Sequence, residues 1–410
     1  MRSIAILLAL FGLTASGCAV QELVVAEETE LNVALSSVDE AMLLDVGIVE
    51  FDAGIPDENE PEKTGVYEDI RLAEAKYMPY HIKTTLQGTG HWGAVRVIPS
   101  VQAFTDIIVS GRIIRSDGEW VEIEMSVRDA AGRDWFTRSY ETQTGLTSYS
   151  KRRDRRRDPY QKVFNDFAND LQAHADSMPA KQLQQTRQVS ELQFFADMSP
   201  AAYNGYLTTN EDGIVSVLRL PAENDPSVAR MRQIRERDRL VVDTLNEHYA
   251  NFYYGIALPY QSWRKNARAE SIKYRQQKRS AQMQALVGVV VLAASTQIDT
   301  NSSSRNTRNI NRALQYEGIS RGFNTVFEAL LRSREANIHL DAIAELSRSF
   351  GDEAAPMVVS VEGQERRLTG TAEAQYESWR RLLRELYESE TGFTQQVDVG
   401  TPARAPESTE

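Results

Sequence analysis

Between residues 121 and 128 the chain alternates strictly. Val121, Ile123, Met125 and Val127 are apolar, while Glu122, Glu124, Ser126 and Arg128 are polar. A period of two puts each set on its own face of an extended strand, so this segment predicts a β-strand with one face in a core and one in water. Turn signals bracket it: Ser116-Asp117-Gly118 before and Ala131-Gly132 after. Beyond the turns lie the largely apolar run Asp-Ile-Ile-Val-Ser-Gly-Arg-Ile-Ile at 106–114 and a third strand at 135–140. Turns this short join antiparallel neighbours, so the spacing predicts a three-strand meander with one solvated face.

Elements upstream and downstream extend that frame. Residues 46–51 (Val-Gly-Ile-Val-Glu-Phe) predict a strand, 52–63 an acidic turn-rich loop, 67–86 a helix and 95–98 a second short strand ended by Pro99. Asp158-Pro159 predicts a helix start with the aspartate as cap and the proline at the first helical position. Val163, Phe164, Phe167 and Leu171 follow at helical spacing. Strand, helix, strand, meander, helix is an α+β order, giving one α+β domain over 46–178.

The rest of the chain predicts mostly helix. The segments are 192–206, 230–254 (Leu240, Val241, Leu245, Phe252), and a separate helix from Pro259 to about 295. A helical region over 179–298 is followed by a polar linker at 299–312. A helical C-terminal part at 313–395 then carries Phe323, Val326, Phe327, Leu330 and Leu331, a helix at 338–350, and a small hairpin around Glu362-Gly363. It closes on a helix at 371–390 with Tyr376, Trp379, Leu383 and Leu386 on one stripe. The tail 396–410 predicts disorder.

The first residues carry an address. Arg2, an apolar run at 4–13 and Ala15-Ser16-Gly17-Cys18 have the order of a secretory signal. The run is shorter than the roughly 20 residues needed to span a bilayer. Cys18 is the chain's one cysteine, which excludes an internal disulfide and a thiolate metal site. The segment resembles the lipobox of bacterial lipoproteins, with Ala15 where leucine is usual; an ordinary cleaved signal peptide is the bland alternative. The resemblance implies removal of residues 1–17, acylation of Cys18 as a membrane anchor and, with Ala19 following, residence on the periplasmic face of the outer membrane. No Lys or Arg occurs from Cys18 to Glu62, so 18–45 predicts an acidic tether standing off an anionic lipid surface. A net charge of −12 argues against non-specific nucleic-acid binding.

The β-α-β start, together with the Asp106 to Ile113 pattern of aspartate, apolar run, small residue, Gly, x, Ile, resembles a recurring envelope-lipoprotein domain. Its members include CsgG, the N-terminal domain of TolB and PelC. The likeness covers about a third of the chain. It implies a binding or assembly module without catalytic residues, in a group that includes ring-forming secretion lipoproteins.

Candidate sites are few. Gly88-Thr89-Gly90-His91-Trp92-Gly93 matches G-x-G-x-x-G, but a dinucleotide fingerprint needs a strand before it and a helix after it, and the predicted order is the reverse. His81, His91, His174, His248 and His339 are never three or four apart. There is no G-x-S-x-G elbow or Walker A loop, so the expectation is no enzyme, no cofactor and no metal, with paired carboxylates brought together in space as the open exception. Lys151, Arg152, Arg153, Arg155, Arg156 and Arg157 form the densest positive run. It is either a solvated loop or a contact for an anionic surface or partner. Residues 285–295 are the strongest apolar run of the mature chain, a core helix or an oligomer interface. Tyr249, Phe252, Tyr253, Tyr254, Tyr260 and Trp263 are an aromatic stretch open to the same two readings.

The functional expectation is a non-enzymatic outer-membrane lipoprotein that helps assemble or scaffold an envelope machine for secretion, polysaccharide export or motility. Its partners would be the membrane and envelope proteins, with a homo-oligomer among the possibilities and no nucleic acid. The alternatives are a monomeric regulator or adaptor binding an envelope enzyme or the cell wall and, further off, a hydrolase of envelope polymers.

Overall fold

The computed structural model describes residues 28–36, 38–56, 67–101, 104–145, 147–150, 158–222, 224–295, 341–349, 356–361 and 364–391, with the backbone alone at 41, 274, 275, 277–295, 361, 364, 390 and 391. The class is α+β. Five strands form one mixed sheet in the order β2-β1-β3-β4-β5: β1 Val46–Ile48, β2 Val95–Val97, β3 Ile107–Ser116, β4 Trp120–Asp129 and β5 Asp134–Gln143. Strands β1, β2 and β3 are parallel, and β3, β4 and β5 form the expected antiparallel meander. On β4, Val121, Ile123, Met125 and Val127 are buried while Glu124 and Arg128 are exposed, as the alternation required.

Helix α1, Glu68–Thr89, connects β1 to β2 and is buried around much of its circumference. It contains Pro79, whose missing N–H leaves the Ala75 carbonyl without its helical donor. Phe51 N–H takes that carbonyl at 3.0 Å, binding the chain that leaves β1 to the middle of α1.

The Asp106 motif turns out to be architectural. Asp106 Oδ2 accepts the Asp45 N–H at 2.9 Å, and Asp45 Oδ1 accepts the Ala94 N–H at 2.8 Å, so two carboxylates stitch the entrances of three parallel strands. Gly111 keeps room for the Phe51 ring, which a Cβ there would meet at 2.8 Å.

Helices α2, Gln161–Ser177, and α3, Ala180–Met198, follow the meander. Pro159 is not the first helical residue. Helix α2 begins at Gln161, and Asp158 accepts the Tyr160 N–H at 2.8 Å one step before it, its carboxylate being committed to Arg264. The helix expected at 192–206 also ends early, at Met198. Ser199 precedes Pro200 and takes a non-helical backbone, as a pre-proline residue prefers. A short helix at Pro200–Tyr203 and a 3-10 turn at Asn204–Tyr206 occupy the remainder, and a hairpin of β6 (Leu207–Thr209) and β7 (Val215–Val217) follows, signalled only by Asn210 and Gly213 at its turn.

The two helices expected around Pro259 are one helix, α4, running Pro226–Ser295. Pro259 withdraws a donor from Gly255, but Gly255 is exposed, so its carbonyl is left to water rather than stranded in the core. The buried stripe of Leu245, Tyr249, Phe252, Ile256, Tyr260 and Trp263 continues across the proline. Helix α5, Ala372–Thr391, buries Tyr376, Trp379, Leu383 and Leu386 and packs on α4 beside the hairpin β8–β9 (Met357–Val361, Gln364–Leu368). The hydrophobic core runs without interruption from Leu44 to Tyr387, across the boundary expected at 178.

Part of the expected tether belongs to the body. Thr29, Glu30, Asn32 and Ala34 are hydrogen-bonded to α2 or to the end of α1. The linker at 299–312, the helix around Phe323 to Leu331, the turn at Glu362-Gly363 and the tail lie outside the described residues.

Candidate functional site

The seam between α1 and α4 holds the richest chemistry. Helical spacing places Arg71, Glu74, Tyr77 and His81 along one side of α1, where they meet the aromatic stretch of α4. Tyr77 stacks on Tyr253 at 4.5 Å and meets Tyr260 at 4.9 Å, and Trp263 lies parallel to Tyr260 at 6.0 Å. Tyr249, Phe252, Tyr260 and Trp263 are buried and Tyr253 is nearly so, making the stretch core packing; Tyr254 alone stands well exposed.

Within the aromatic walls lies a layer of buried ionisable groups. Glu74 Oε1 accepts hydrogen bonds from Ser116 Oγ at 2.5 Å and Tyr260 OH at 2.6 Å. Arg264 grips Asp158 through both carboxylate oxygens at 2.8 Å, with its guanidinium 4.1 Å from the Tyr260 ring centre. His81 is held by Tyr253 OH at 2.7 Å and Gln161 Oε1 at 2.9 Å. Burial raises the Glu74 carboxyl, against the pull of Arg71 and of its two donors, and lowers the His81 imidazole. Burial also works to raise Asp158, but the Arg264 charge wins and holds it well below the usual carboxylate range. Glu74 and Arg264 are buried, and through Tyr260 and Asp158 they tie α4 to α1 and to the segment entering α2.

A polar cleft of about 270 Å³ opens at the outer end of the same seam. Helix α1 supplies Lys83, β2 supplies Arg96, and α4 supplies Asp243 and Glu247. Arg96 and Asp243 form a two-pronged pair at 2.6 and 3.1 Å. Lys83 lies 4.8 Å from the centre of the Tyr80 ring, and partial burial lowers its ammonium. Lys83, which donates to Gln87 Oε1 at 3.3 Å, and Glu247 both line the cleft.

Beside the cleft, Asn246 closes the free edge of β2. Its side-chain amide accepts the Val97 N–H at 2.8 Å and donates to the Val97 carbonyl at 2.9 Å, the two bonds another strand would make. Nothing in the sequence marked Lys83, Arg96 or Asp243. Asn246 had one signal, an amide on the apolar stripe between Val242 and Tyr249.

Cys18 and Lys151, Arg152, Arg153, Arg155, Arg156 and Arg157 lie outside the described residues. The flanks of the basic run are described and meet one stretch of α4. Asp158 holds Arg264, and Thr144 Oγ1 accepts from Arg268 Nε at 3.0 Å. The glycine motif sits as its order required: α1 ends at Thr89, Gly90 closes it at φ 71°, and β2 follows. The spatially paired carboxylates Asp45 and Asp106 are occupied by backbone amides and, for Asp45, by Arg239 at 2.9 Å. Among the described residues no group of three or more His, Cys, Asp or Glu is placed to hold a metal ion, and no helix is long and apolar enough to cross a membrane. No family model, curated protein or solved structure matches the chain.

Proposed function

We propose that this chain is an envelope lipoprotein anchored through Cys18 to the periplasmic face of the outer membrane, where it serves as a non-enzymatic assembly or scaffolding component. The observation that carries this reading is the proportion of α4. Seventy helical residues at about 1.5 Å each measure about 105 Å, three times the roughly 34 Å of a ten-residue strand. A helix of that length is a strut. Its last residues, 285–295, are the apolar run that favours contact with another chain. The envelope-domain likeness over 46–178 points the same way.

The test is the absolute mass of the acylated protein, extracted in mild detergent, by light scattering after size exclusion. A defined oligomer that dissociates when Val289 and Val291 are changed to Asp supports the scaffold. A monomer whose mass is indifferent to those changes overturns it. The cleft lined by Lys83, Arg96, Asp243 and Glu247 favours a second reading, a monomeric adaptor that recognises a small polar group on an envelope partner.

A further inference from the structure

We infer that the surface formed by residues 29–36 and the adjoining side of α2 faces the phospholipid bilayer, held there by a short strap rather than a long free tether; this rests on the proposed anchor at Cys18. Asn165 Nδ2 donates to the Thr29 carbonyl at 2.7 Å, and Asn169 Nδ2 to the Glu30 carbonyl at 2.9 Å. Asn169 Oδ1 also accepts the Asn32 N–H at 2.9 Å, so one side-chain amide pairs the segment as a neighbouring strand would. Two residues on, Ala34 N–H donates to the Thr89 carbonyl at the end of α1 at 2.8 Å. Leu31, between these bonds, packs on the core.

The pinning changes the geometry of anchoring. Without it, the first fixed point after Cys18 would be β1 at Val46, 28 residue steps away, a reach of about 100 Å at 3.6 Å per step. With it, the first fixed point is Thr29, eleven steps away, and the reach shortens to about 40 Å. The pivot also moves from the sheet to the outer side of α2. Val33 and Leu35, 52% and 103% exposed, are the apolar side chains this arrangement turns toward the bilayer.

The experiment uses full-length acylated protein in vesicles of phosphatidylethanolamine and phosphatidylglycerol. With the Cys18 sulfur taken up in the anchor, a cysteine introduced by Leu35→Cys or Glu124→Cys is the only free thiol for a fluorophore. Energy transfer to a lipid-borne acceptor is expected to be strong from position 35 and weak from position 124, on the solvated face of the sheet. Asn165→Ala with Asn169→Ala should abolish the difference. Equal transfer from both positions, or stronger transfer from 124, overturns the orientation. Hydrogen exchange on the Cys18→Ser chain tests the strap apart from the anchor. The Asn32 and Ala34 amides should be protected, and rapid exchange there overturns the strap. Failure of the full-length chain to bind vesicles, with those amides still protected, removes the anchor and the orientation together but not the pinning.

Discussion

Arg264 and Asp158, 106 residues apart, meet through two hydrogen bonds of 2.8 Å in a place closed to water. The pair joins α4 to the segment that enters α2, and it makes a polar core workable by matching charge with charge. Breaking such a pair leaves the survivor buried and uncompensated, which costs about 3–5 kcal/mol. Arg264→Ala is expected to destabilise by that amount, measured by urea unfolding. Arg264→Met combined with Asp158→Leu, which removes both charges, should recover most of it. A double variant as unstable as the single one would contradict this account.

Asn246 and Val97 make the second expectation. Removing the amide leaves a buried backbone N–H and carbonyl without partners, at a cost of about 1–3 kcal/mol each. It also bares the β2 edge, and bare edges pair. Asn246→Leu should therefore lower the urea midpoint and raise the apparent mass of the Cys18→Ser chain with concentration. Unchanged stability would remove Asn246 from the role of edge cap.

His81 sets a pH dependence. Burial lowers its folded value below the ordinary 6.5, outweighing the help of Asp158 and the Gln161 hydrogen bond. The unfolded chain therefore binds a proton that the folded chain refuses. The stability contributed by neutral His81 is present above pH 6.5 and is lost as pH falls through 6.5 toward the lower folded value. Urea midpoints taken from pH 8 to pH 5 should decline over that window, and the decline should shrink in His81→Gln. A slope identical in the variant would assign the effect to other groups.

Gly111 and Phe51 give a steric test. A methyl group at 111 would stand 2.8 Å from the Phe51 ring, so Gly111→Ala should destabilise by overpacking, about 1–3 kcal/mol. Phe51→Leu in the Gly111→Ala background should give back part of that loss. Additive losses in a double-mutant cycle would show that the two positions do not share the space.

The meander was readable because its signal is local: alternation on β4 assigns each side chain to a face before any partner is known. The stripe of α5 was readable for the same reason, Tyr376, Trp379, Leu383 and Leu386 being spaced for one helix face. Pro259 misled because a proline's effect depends on where the orphaned carbonyl points, and that of Gly255 points to water. Asp158 misled because its nearest neighbours suggest a cap, while its real partner is on another helix.

By itself, then, the sequence determined the α+β class, the meander with its wet face, and the order of helix and strand around the glycine motif. All of these follow from periodicity or from short contiguous patterns. Only the tertiary structure decided that Arg264 finds Asp158, that Asn246 closes β2, that Lys83 and Glu247 share a cleft, and that residues 29–36 are bound to α2. Each of those depends on bringing together atoms far apart along the chain. Buried polar pairing and edge closure are chosen by which surfaces meet, and one segment's composition does not contain that information.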